Sequence, residues 1–416
     1  MTPKGLFLLF GAVLVMLPER IWGQRFSTWP VNSRVYRAVD GLPESACICV
    51  TLSPQARVVV RHLKSASISR LDGYTITVIP SPGAGNSRVY ESPAGQLWTV
   101  VGEGLQEFRN GNWVLHSVPE ITMELRTHVA RVIDPVPLCP SRLGVVLFLL
   151  PDRLIEFNAE DSDRPRTESL LTAAETRLER FSGMALARDG GLWIAGARGL
   201  AKLAGPVRQL KRDSERHDYL LPEALQFGNL QQPQEDAEGV VTAMADSAAG
   251  HQKALLHFDG QQWTSQVVPI EKTRHAWQGP DQTSWAATID SLIGWEPGGA
   301  EVTQSEEGSG RQNYDLAVEP SGAFWLATSD GLTRYAPLAW RKPARVRSLN
   351  SLVHGLAEDE AGRLWFVCGN RLHLLEHERL REYALPATAA DSPAAMRALF
   401  PLKNGVLLLA AGEQCF

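Results

Sequence analysis

Cysteine is scarce in this 416-residue chain. There are five, Cys47, Cys49, Cys139, Cys368 and Cys415, an odd number with no C-x-x-C pair. That argues against a disulfide framework and against the spacing that structural zinc or dithiol chemistry uses. Cys47 and Cys49 lie two apart on a strand-like run, so both side chains are expected on one face, poorly placed for an unstrained bridge. Buried, small, apolar residues are the expectation for both. Neither sign of charge dominates: 41 Lys and Arg against 46 Asp and Glu leave −5, which offers no basic footprint for nucleic acid. No apolar run reaches the roughly 20 residues that a membrane helix needs, and Val145 to Leu150 is strand-sized. A Gly-x-Ser-x-Gly elbow and a phosphate loop ending in Gly-Lys-Ser/Thr are both missing, which removes two common bases for nucleophilic and nucleotide chemistry. Helical patterning is thin. Ser169 to Arg180 reads as a short helix in a long loop, and Asp213 to Gln226 as another long insertion.

What is present begins with residues 1–23. Lys4 precedes the apolar run Leu6 to Leu17, which Pro18, Glu19 and Arg20 interrupt, and small Gly23 follows. The run is too short to span a bilayer, and a cleavable secretory signal peptide is expected, with an uncleaved anchor as the weaker reading. The mature chain is then periplasmic or secreted.

A repeat organises the rest. Trp98, Trp193, Trp285, Trp325 and Trp365 are each followed ten residues later by a large apolar residue: Phe108, Leu203, Trp295, Tyr335 and Leu375. The clearest copy runs from Val318 through Pro320-Ser321-Gly322, Trp325 and Asp330-Gly331 to Tyr335, an apolar run, a turn, a second run, a tight turn and a third run. Val59, Leu147 and Leu408 take the tryptophan slot in weaker copies, and a degenerate one lies around Ala248 to Phe258. Short strands recurring about every 40 to 45 residues are the pattern of β-propeller blades. The aromatic slot is expected to be a core anchor between blades.

Slots at 59, 98, 147, 193, about 250, 285 and 325 make seven. The expected fold is therefore all-β: a seven-bladed β-propeller over residues 24–340, followed over 341–416 by two further blades, the start of a second, truncated propeller. The break comes at Ala336 to Pro343. The segment Ser33 to Val39 has no earlier blade of its own, and it is expected to pair with the Trp325 blade and close the ring.

His373-Leu374-Leu375-Glu376-His377 matches H-x-x-E-H, a zinc-peptidase arrangement. That chemistry wants a helix. Here the motif falls where the repeat places a strand, which sends Glu376 to the side opposite both histidines, so no metal site is expected. No catalytic residue and no cofactor is expected, and no ligand-binding residue can be assigned from sequence.

Asp359-Glu360-Ala361-Gly362-Arg363-Leu364-Trp365, the segment Trp325 to Tyr335 and the early turn Asp40-Gly41-Leu42-Pro43 together resemble the two-component regulator propeller repeat. The resemblance covers nearly all of the chain after residue 23, strongly in four or five repeats. It implies an extracytoplasmic, ligand-sensing propeller region of a bacterial two-component signalling protein, without catalysis of its own. The ligand would be a small molecule or a glycan. The implied partners are a histidine kinase region or a partner sensor chain; a dimer is compatible, and no nucleic acid is involved. Family members commonly continue into more blades, an immunoglobulin-like module, a membrane helix and a kinase, so the natural product is expected to extend beyond Phe416. A lyase-type periplasmic propeller enzyme and a protein-binding scaffold are the alternatives.

Overall fold

The computed structural model describes the chain from Val31 to Cys415, apart from 74, 84–86, 128–135, 161–164, 249, 251, 280–282, 296–301, 306–309, 338–348, 350–351, 377–378, 386–395, 403–405 and 412–413. The signal-peptide segment, the break at 338–343 and His377 lie outside the described residues. The chain divides into two compact units, Met1–Pro337 and Leu338–Phe416. The described residues form antiparallel β-sheets with one α-helix, Pro119–Thr127.

The first unit holds seven four-stranded sheets. Sheets 1 to 6 span 47–80, 89–117, 138–172, 181–220, 227–267 and 275–305, each a meander of consecutive strands. Sheet 7 differs. Its strands Asn313–Val318, Phe324–Thr328 and Leu332–Pro337 are completed by Val31–Tyr36, paired from Val31↔Pro337 to Tyr36↔Leu332.

Each sheet is apolar on both faces and buries them against its neighbours. Val59 and Ile68 of sheet 1 pack with Val89 and Leu97 of sheet 2, and five more clusters join sheets 2 through 7 in sequence order. A seventh cluster returns from Trp325 and Leu332 of sheet 7 to Val50 and Val60 of sheet 1. Sheets and interfaces are equal in number, so the ring closes as a β-propeller. The first strand of each sheet is innermost and the fourth outermost, as the exposed pattern of Asn112–Ser117 reflects.

The tryptophan spacing follows from hairpin geometry. Trp98, Trp193 and Trp325 stand across from Glu107, Lys202 and Arg334 on the next strand. The residue before each tryptophan faces the apolar residue of the next strand, as in Leu97↔Phe108, Leu192↔Leu203 and Phe324↔Tyr335. Trp98, Trp193, Trp285 and Trp325 are buried. Their polar edges are partnered where a neighbour allows it: the indole N–H of Trp193 donates to Glu235 at 2.9 Å, that of Trp325 to Glu319 at 2.8 Å and that of Trp365 to Asp359 at 2.9 Å. Lys202 and Arg334 lie over the Trp193 and Trp325 rings at 5.1 and 5.4 Å. The slot is a core anchor.

Several expectations need correction. Cys47 pairs with His62 and Cys49 with Arg61, so a bulge at Ile48 puts the two cysteines on opposite faces. Ser169 to Arg180 is not helical: Arg166–Thr172 is the outer strand of sheet 3, followed by a short 3-10 turn at Ala173–Glu175. Pairing with Arg153–Asn158 outweighs the propensity of so short a segment. Asp213 to Gln226 contains Arg216–Leu220, the fourth strand of sheet 4. In sheet 5 the second strand is Val241–Ser247, where Thr242 takes the tryptophan slot, ahead of the expected position. The closing strand ends at Tyr36 rather than Val39.

The second unit packs a four-stranded sheet over 353–384 on a three-stranded one over 396–415 through Val367, Leu399 and Leu409. His373 lies on the strand Arg371–Glu376, buried and stacked on Phe366 with ring centroids 5.0 Å apart. Glu376, three residues on, instead approaches Arg381 at 3.7 Å.

Candidate functional site

Where the innermost strands converge, the apolar pattern is interrupted by polar side chains from different sheets. Asp315 opens the regular part of the inner strand of sheet 7, directly after a bulge between Asn313 and Asp315. Its side chain is fully buried. Arg88 reaches it from the start of sheet 2, with Nε donating to Oδ2 at 2.9 Å and Nη2 donating to Oδ1 at 2.5 Å. The same Nη2 donates to the Leu316 carbonyl at 3.2 Å. Sheet 1 lies between these two sheets in the ring, and its Val50 N–H donates to Asp315 Oδ2 at 2.9 Å. Contacts among three successive sheets are possible only beside the axis.

His275 enters from sheet 6. Its Nδ1 meets the Gln232 side-chain Oε1 of sheet 5 at 3.1 Å, and Gln232 Nε2 donates to the Arg274 carbonyl at 3.4 Å. Burial pushes the imidazole pKa down to about 4; the Asp315 charge opposes that shift, and the Arg88 and Arg274 charges add to it. The ring is therefore neutral at neutral pH. Gln232 itself sits at φ 52°, in the left-handed region, on a strand with register shifts on either side of Gln231. Such conformations are uncommon for a non-glycine residue, and bulged, strained positions collect at functional sites. Gly183 of sheet 4 completes the approach. A Cβ there would lie 3.0 Å from the Pro233 side chain and 3.3 Å from the Gln232 backbone nitrogen, so a side chain at this position would press these inner strands apart by a few tenths of an ångström.

This arrangement suits recognition better than bond-breaking. Both Asp315 oxygens are taken by Arg88 and Val50, which leaves a poor base or nucleophile. A histidine with a pKa near 4 is a weak general base at neutral pH. Donors and acceptors held rigid at fixed positions are what a polar ligand needs.

A second polar network is purely structural. Glu107, fully buried, accepts from Arg109 Nε at 2.7 Å, from His116 Nε2 at 2.9 Å and from Gln96 Nε2. Burial alone would raise its pKa, but the bonds from His116 and Arg109 outweigh that and hold it low. His116 stacks on Trp98 and meets Phe157 at a tilt inside the sheet 2–sheet 3 core, with ring centroids 5.9 and 5.2 Å apart, so the Glu107–His116 pair is sealed. Cys47 and Cys139 are likewise unreactive: both are buried, and burial pushes both thiols up to about 12.

None of the axial residues stands out in a sequence reading. A signal does exist: Arg88, His275 and Asp315 each lie ten residues before a tryptophan slot, at 98, 285 and 325, where Gly183 and Cys49 stand before 193 and 59. Reading that column of the repeat alone would have gathered them.

No protein-family model and no curated protein matches the chain. Among solved structures it is similar to virginiamycin B lyase from Staphylococcus aureus, at 11% identity and TM-score 0.48, over 74% of this chain and 98% of that one. It is also similar to the extracellular domain assigned to a hybrid two-component system of B. thetaiotaomicron, at 11% identity and TM-score 0.47, over 92% of this chain and 52% of that one. A third is YCF48 from Cyanidioschyzon merolae, at 13% identity and TM-score 0.46, over 72% and 98%. The chain spans about half the length of the two-component domain. At these values no residue role transfers, and the propeller assignment rests on the chain's own sheets and core clusters.

Proposed function

We propose that this chain is the extracytoplasmic ligand-sensing propeller region of a bacterial two-component signalling protein. It binds a small polar molecule or a glycan at the axial cluster and carries out no chemistry on it. The repeat pattern supports the signalling context. The observation that carries the binding role is the convergence of Arg88, Gln232 and His275 from three sheets, with Gln232 held in a left-handed conformation. Signal output then passes through a kinase region or a partner chain, in keeping with the repeat.

The test is a thermal-shift screen against sugars, oligosaccharides and small polar metabolites, followed by calorimetry on each hit with wild type and Gln232→Asn. Asparagine tolerates the left-handed region but is one methylene too short to reach His275. A hit whose affinity falls at least tenfold in the variant, at unchanged melting temperature, supports the axial site. Hits that bind both chains equally, or that the protein converts to product, would overturn it.

A further inference from the structure

A second place on the ring has the marks of a site, at the edge where sheets 3 and 4 meet. The turn at Asp152, the link over 172–179 and the turn at Arg198 border a shallow, open groove of about 790 Å³. That is within the size range of small-molecule sites. Its lining is charged and balanced, with Asp152 and Glu179 against Arg177 and Arg198, over Ala173 and Ala174.

Glu179 is the residue that calls for an explanation. It is held at φ 66°, in a three-residue turn closed by the Arg180 N–H on the Leu178 carbonyl at 2.8 Å. This is the rare, strained form of γ-turn, which glycine would adopt at no steric cost. The side chain gives little stability in return. It is 63% exposed, and its ion pair to Arg198 at 3.3 Å is open to water, a kind of contact that contributes little. Strain of this type gathers where a side chain is presented to a ligand.

Charge pairing around the groove indicates what the ligand carries. Arg198 lies 3.3 Å from Glu179 and 3.9 Å from Glu223, so its charge is matched. Arg177 is fixed through its backbone N–H, which donates to Asp218 Oδ2 at 3.2 Å. Its guanidinium has no carboxylate partner among the described residues. A balanced lining disfavours polyions of either sign. No aromatic ring lines the groove to stack on a sugar face. Asp152 is taken by Arg153, whose Nε and Nη2 donate to its Oδ2 at 2.9 and 2.5 Å. We propose that this groove binds short peptides with free termini, the ammonium end toward Glu179, whose pair with Arg198 lies open to water, and the carboxylate end toward Arg177. Small side chains then lie over Ala173 and Ala174. This site and the axial one are independent, and either reading survives the loss of the other.

Calorimetry with trialanine tests it, using N-acetyl-trialanine amide and maltotriose as comparison ligands, on wild type, Glu179→Gly and Arg177→Met. Trialanine is expected to bind, and the capped peptide at least tenfold more weakly. Glu179→Gly should raise the melting temperature yet weaken trialanine at least tenfold, a combination that a purely structural glutamate would not give. Arg177→Met should weaken it similarly with no change in melting. The proposal is overturned if trialanine gives no binding at millimolar concentrations, if capping or Glu179→Gly leaves affinity unchanged, if Glu179→Gly lowers the melting temperature, or if maltotriose binds in its place.

Discussion

Arg88 keeps about a fifth of its side chain in water while Asp315 keeps none. Breaking the pair strands the aspartate, because a buried carboxylate without its cation must either protonate or bear the desolvation cost. Arg88→Met should therefore destabilise the ring by about 3 kcal/mol, the low end for a buried pair, as read from urea melts at pH 7. His275 gives a pH signature. It stays neutral down to about 4 in the folded chain and protonates near 6.5 when unfolded. Between those values the unfolded state binds more protons, so this group's contribution makes stability fall as pH drops from about 6.5 to about 4, by on the order of 3 kcal/mol. His275→Gln should flatten that fall in urea midpoints measured between pH 7 and pH 4.5; identical pH profiles would mean that the imidazole is not held neutral. These residues are hard to find in sequence because the cluster is assembled from sheets 2, 5, 6 and 7, more than two hundred positions apart for Arg88 and Asp315. Only the shared offset from the tryptophan slot links them.

Hairpins were far more legible. The aromatic slot and its partner ten residues on reflect one register, repeated wherever the turn between second and third strands is short, as between Gly196 and Gly199 or Val101 and Gly104. The lysine or arginine nine residues after Trp193 and Trp325 stands directly across from the ring. Trp193→Ala should cost about 3–5 kcal/mol, since it empties a slot between sheets 4 and 5 and removes the donor to Glu235. A loss below about 1 kcal/mol, typical of exposed positions, would contradict the anchor role. Sheet 5 was placed late because Thr242 offers no aromatic signal. The helix Pro119–Thr127 was missed because chiefly Ile121 and Leu125 turn one face to the core, too sparse a pattern to read. The bulge at Ile48 has no signature of its own, and without it Cys47 and Cys49 read as one face.

For the whole molecule, closure decides everything else, since the axial cluster exists only if sheet 7 returns to sheet 1. Closure is made twice. On the inside, Asp315 ties sheets 7, 1 and 2 together through Val50 and Arg88. On the outside, Val31–Tyr36 supplies the fourth strand of sheet 7, with Tyr36 at 5.8 Å from the Trp325 ring and Arg37 at 2.5 Å from Asp330. The outer latch was legible because an early strand without a blade needs a partner, and an open edge invites aggregation. The inner latch was not. Hydrogen exchange on the full chain and on one lacking residues 31–36 tests the closed ring most directly. The account predicts that the amides of Leu332–Pro337 lose their protection on deletion, that exposure spreads to the Trp325 hairpin and that the shortened chain aggregates. Unchanged protection across Leu332–Pro337, with unchanged melting temperature and solubility, would contradict it.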